Sequence, residues 1–155
     1  MAADCCPIVV PAPRPTAAVV VAPGTQGPAG PAGAPGPAGG SAVQRIAGEQ
    51  LSALRLAYEL DGVVRYLDAH DAEHIDLAAG ITLTAAGQGE LINLQLSGPL
   101  DDSTWSWAPG PVWLGAEGTL TQSPPVEGFL LYVGAAVSLT RIIINIDQPV
   151  GLAEE

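Results

Sequence analysis

Glycine recurs at every third position from Gly24 to Gly39 (Gly24, Gly27, Gly30, Gly33, Gly36, Gly39), and the run reads GTQ-GPA-GPA-GAP-GPA-GGS. Strict period three with proline between is the signature of a collagen-like triple helix, because only glycine fits at the axis where three chains wind together. A flexible Pro/Gly/Ala linker would not require six glycines in phase. The phase therefore predicts three chains around one axis, a homotrimer with a stalk on the order of 50 Å long at ~3 Å rise per residue. So few triplets are weak alone and need a trimeric domain beside them.

That domain has to come from residues 41–155. Residues 1–40 hold nine of the 15 prolines and seven of the 19 glycines, a composition that excludes a helical or sheet core. Charge divides the same way. Asp4 and Arg14 cancel in residues 1–40, so the formal −11 of the chain falls on residues 41–155, where 15 acidic residues face Arg45, Arg55, Arg65 and Arg141. There is no lysine. A phosphate backbone needs clustered cations, so nucleic-acid binding is excluded, and an anionic membrane surface is disfavoured. No apolar run approaches the ~18 residues of a membrane span. The first residues lack a basic segment, and Pro7, Pro11, Pro13 and Pro15 interrupt the apolar run, so no signal peptide is expected. Cys5 and Cys6, adjacent and alone, make no disulfide framework, which suits assembly in a reducing cytoplasm; interchain disulfides within an oligomer stay open.

Three segments are expected: an extended arm over 1–23, the stalk over 24–41, and a β-rich head over 42–155. The arm, CCPIVVPAPRPTAAVVV from Cys5 to Val21, is almost uncharged and has no helical period. It reads either as a disordered tail or as an anchor that docks on a larger partner through Ile8, Val9, Val10, Val19, Val20 and Val21, side chains that would otherwise be an apolar liability in water.

The head reads as an all-β domain, a small sandwich or barrel that trimerises. Ala57–Leu60 and Val63–Leu67 flank Asp61-Gly62, a pair suited to the two positive-φ positions of a type I′ hairpin turn. Ile92, Leu94 and Leu96 alternate with Asn93, Gln95 and Ser97, predicting one buried face. Ile142, Ile144 and Ile146 alternate with Ile143, Asn145 and Asp147, a similar pattern with one apolar exception at Ile143. Phe129 to Val137 is apolar on both faces, as in a central strand or one covered by another subunit. Leu51 to Tyr58 has helical composition, but its continuation into the hairpin favours strand.

From Gly80 onward, GITLTAA, LQLSGPLDDSTWSWAPGPVWLGAEGTLTQSPP and GFLLYVGAAVSLTRIIINIDQPV resemble the C-terminal module of certain tailed-bacteriophage fibre and virion decoration proteins. The resemblance is carried by Trp105, Trp107, Pro109, Gly110, Pro111, Val112, Leu114, Gly115, Gly118, Leu120, Thr121, Gln122, Pro124, Pro125, Gly128, Phe129, Val133 and Gly134. It covers roughly the second half of the chain and implies a structural protein of the virion, assembled in the host cytoplasm, with a particle-binding N-terminus, a trimeric stalk and a β-rich tip. It does not separate a tail or baseplate appendage from a head fibre or capsid decoration protein.

Three constellations could carry chemistry. His70-Asp71-Ala72-Glu73-His74 matches the inverted zinc-protease motif H-x-x-E-H, which needs both histidines on one helical face and a further acidic ligand. Enclosed by Asp68, Asp71 and Asp76, the segment reads instead as a solvated turn or short helix, and no metal ligands or catalytic residues are assigned. Trp105, Trp107 and Trp113 lie within nine positions. Beside Asp101 and Asp102 they could stack on the sugar rings of a host surface glycan, or fill the core or a trimer seam; the second is preferred. No Gly-x-Ser-x-Gly elbow, phosphate loop or dinucleotide fingerprint is present, so no cofactor and no enzyme activity are expected, a glycan-active or zinc enzyme being the remote alternative.

Overall fold

The computed structural model describes residues 11–13, 15 and 41–153. The chain divides into two units, Met1–Gly33 and Ala34–Glu155. In the first, the described prolines and alanine carry no regular secondary structure. Gly24 to Gly39, Ile8 to Val10, Val19 to Val21, Cys5 and Cys6 lie outside the described residues.

The second unit is all-β. Five strands, β1 (Ala42–Ala47), β2 (Leu56–Leu60), β3 (Val63–Tyr66), β4 (Ala78–Thr82) and β5 (Leu91–Gln95), close a small barrel in the order β1-β3-β2-β4-β5. A second sheet has the order β6-β11-β10-β7-β8, from β6 (Ser97–Asp101), β7 (Gly110–Leu114), β8 (Leu120–Thr121), β10 (Tyr132–Ser138) and β11 (Arg141–Asn145). β9 (Phe129–Leu130) and β12 (Val150–Gly151) form a separate pair. Two single-turn 3-10 helices, Ile75–Leu77 and Ala116–Gly118, sit in the connections.

Alternation along the strands builds two cores. Ala47, Ala57, Val64, Ile92 and Leu94 point into the barrel, with Leu51 and Ala86. Their neighbours Leu56, Tyr58 and Ile81 point outward, against Leu100, Val112, Leu114, Leu131, Val133, Ile142 and Ile144 on the inner face of the second sheet. Burying a Val, Leu or Ile side chain contributes about 1.5–3 kcal/mol. The larger cluster is therefore the principal cement between barrel and sheet.

The Asp61-Gly62 turn forms as its dipeptide requires, with φ of 52° and 79°. Strand also prevails before the hairpin, from Leu56, while Leu54 takes a positive φ of 63° and Leu51 makes only an isolated bridge to Ala86. The Phe129–Val137 run splits at Leu131, and its longer part, β10, is central between β11 and β7.

One expected pattern is overturned. Ile92 to Ser97 is not a single strand with Gln95 on its polar face: Gln95 is 1% exposed and Leu96 is partly exposed. The chain leaves the barrel after Gln95 and enters the second sheet at Ser97. The buried Gln95 amide steadies the crossing by donating to the carbonyls of Ser97 (3.2 Å) and Pro99 (2.7 Å).

Candidate functional site

The loop from Asp68 to Leu77 owes its shape to two carboxylates. Asp68 Oδ1 accepts from the His70 backbone N–H at 2.8 Å, and Asp71 Oδ1 accepts from those of Glu73 and His74. These are the local side-chain-to-backbone bonds that make Asp a turn residue. The other oxygen of Asp68 accepts from the backbone N–H of Glu117 at 2.8 Å, joining the loop to the second 3-10 turn. Burial pushes the Asp68 carboxyl up, but the hydrogen bonds from Glu117 and from His70 outweigh it and hold the group below its ordinary value.

Each histidine ring is engaged with its own aspartate. His70 Nδ1 lies 3.0 Å from Asp68 Oδ1, and His74 Nδ1 lies 2.7 Å from Asp71 Oδ2. The His74 ring also stacks on Tyr58, centroids 4.4 Å apart. Residues 70–74 precede the 3-10 turn and are not helical, so the one-turn helical spacing that H-x-x-E-H chemistry requires is absent. Among the described residues, no group of three or more His, Cys, Asp or Glu side chains is placed to hold a metal ion.

The tryptophans part company. Trp105 and Trp107 tilt against each other at 5.7 Å and pack against the larger core. Trp107 Nε1 is buried without a hydrogen-bond partner. Trp113 lies on the opposite, outer face of the sheet, where its ring meets Tyr132 edge-on at 5.5 Å. The neighbouring carboxylates are engaged within the fold. Asp101 pairs with Arg141 at 2.8 Å, which raises the Arg141 pKa through that hydrogen bond. Asp102 Oδ1 accepts from the backbone N–H and hydroxyl of Thr104. The structure therefore brings Trp105 to Trp107 and Asp101 to Arg141, but does not gather three indoles and two free carboxylates into one sugar platform.

Ile143, the apolar exception on the polar side of its strand, and Tyr132, in the run apolar on both faces, join Trp113 and Pro99 on the outer face; what the sequence does not show is that these four share one surface. The alternation of Arg141, Ile143 and Asn145 carries part of that signal, but cross-strand register carries the rest. A broad groove of about 1120 Å³ lies elsewhere, lined by His70, Val126, Glu127, Phe129 and Leu152 among others. Among the described residues, no helix is long and apolar enough to cross a membrane. No protein-family model matches the chain, and no curated protein matches it in sequence.

Proposed function

We propose that this chain is a structural protein of a tailed-phage virion, a homotrimeric short fibre. Its residues 1–23 anchor to other virion proteins, its Gly-X-Y run forms the stalk, and its β-domain contacts the host surface. The observation that carries this reading is the in-phase glycine run joined, at Gly39-Gly40-Ser41, directly to an all-β domain. The residues considered for catalysis or glycan binding support it too, since His70, His74, Asp101 and Asp102 are all engaged in holding loops or strands. The action is mechanical and adhesive.

The test is electron microscopy of purified particles labelled with an antibody against the β-domain, using full-length chain and a variant lacking residues 1–23. Label at the tail or baseplate, lost with the deletion, is the expected result. Label on the head would assign the same trimer to capsid decoration, and retention of the deletion variant on particles would overturn the anchoring role.

A further inference from the structure

The outer face of the second sheet is short of charge in a strongly acidic chain. Cross-strand pairing sets its rows. Pro99, Ile143, Ala135 and Pro111 form one row across β6, β11, β10 and β7. Beside it, toward the Ser97–Asn145 pair, Tyr132 and Trp113 lie opposite each other, with Thr121 next on β8. At the far end, Asp101 and Arg141 are the charged residues of this face, and they neutralise each other at 2.8 Å. Within that apolar row Ile143 is 36% exposed and Pro111 is exposed. Copies of a chain carrying −11 can approach there without setting like charges against each other.

The place where the collagen-phased run ends points to what covers this face. Ser41 follows Gly39-Gly40 directly, its hydroxyl lies 2.9 Å from that of Ser97, and its carbonyl accepts from the Leu96 N–H. Ser97 pairs with Asn145, one row from Pro99 and Ile143. A triple helix holds its three chains side by side at the axis. If the Gly-X-Y run winds as the proposed function has it, three domains tethered at Ser41 have the β6 end of this face among the surfaces nearest the tether.

One competing apolar surface is the row Leu91–Ile46–Val63–Leu60 on the barrel exterior. It lies at the far end of β1 from Ser41. Polar Gln44 and Asn93 separate it from that end, and Glu90 and Asp61 flank it in sequence. Copies meeting there would bring carboxylates together.

We propose that the outer face of the second sheet, the Pro99–Ile143–Ala135–Pro111 row with Trp113 and Tyr132, is the seam where three copies of this chain meet. Three such faces turned toward one axis enclose an apolar prism, with Ile143 near its centre and the Asp101–Arg141 pairs at its distal rim. The inference rests on the trimer of the proposed function and names the surface that completes it.

The test uses the full-length chain in a Cys5→Ser/Cys6→Ser background, with Ile143→Cys or Leu91→Cys added. Sedimentation should give three times the 15.7 kDa chain mass for the background and both variants. Mild oxidation or a short bismaleimide should then link Ile143→Cys chains in pairs, leaving one chain in three unlinked, while Leu91→Cys chains stay single. A trimer that fails to link at position 143, or links at 91 instead, overturns this seam and leaves the stalk standing. A monomeric mass overturns the trimer itself. An Ile143→Cys thiol that reacts with a monofunctional maleimide only after residues 1–23 are removed would place the arm on this face and overturn the proposal.

Discussion

Asp68 binds two segments far apart in sequence, taking the backbone N–H of His70 on one oxygen and that of Glu117 on the other. Its carboxyl is held below the ordinary value, so folding favours the charged form. Stability from this group is present above the unfolded pKa of about 4 and is lost as pH falls through the lower folded value. An Asp68→Asn chain should therefore melt below wild type at neutral pH, and the gap should close as the buffer is taken below about pH 4. Thermal melts across pH 2–7 check this; a gap independent of pH would mean that the carboxylate charge is not what matters. At this scale the turn-forming character of Asp68 and Asp71 was legible, because those bonds are local. The partners of His74 were not: Tyr58 sits 16 positions away, and only the fold stacks it on the ring.

Among the strands, two glycines separate backbone freedom from backbone crowding. Gly62 stands at φ 79° with open space around its Cα, whereas a Cβ on Gly134 would collide with the backbone carbonyl of Ile143 on the adjacent strand. Gly62→Ala should cost about 1 kcal/mol, the left-handed penalty alone. Gly134→Ala should cost more, roughly 2–3 kcal/mol, because a paired backbone cannot step aside. Urea denaturation of the two variants gives the order; a larger loss at Gly62 would contradict it. The hairpin was legible from Asp61-Gly62 and its apolar flanks, and the central place of β10 from a run apolar on both faces. The crossing from barrel to second sheet was not. Ile92 to Ser97 alternates as one strand would, and the crossing is steadied by a pair of hydrogen bonds from buried Gln95, a tertiary effect with no periodicity.

For the whole molecule, the acidic charge and the glycine phase act against each other. In the proposed trimer, three chains would bring three times −11 into one assembly, a repulsion opposed by the stalk and by whatever apolar surface the heads share. Six triplets contribute little alone, so the proposed stalk should depend on the heads for its stability, and not the reverse. Replacing Gly30 by Val near the middle of the run puts a branched side chain where only glycine fits. The Gly30→Val chain should lose the polyproline-type circular-dichroism band at every temperature. The melt of its β-domain, whose two cores are built from residues 47–144, should survive. Its trimer should dissociate at a lower dilution factor than wild type, and added salt, by screening the carboxylates, should restore part of the difference. Sedimentation over a dilution series at low and high salt measures all of this. A Gly30→Val chain as trimeric as wild type at both salts would show that the heads alone hold the assembly, and one that is monomeric at both would give the stalk the whole of it.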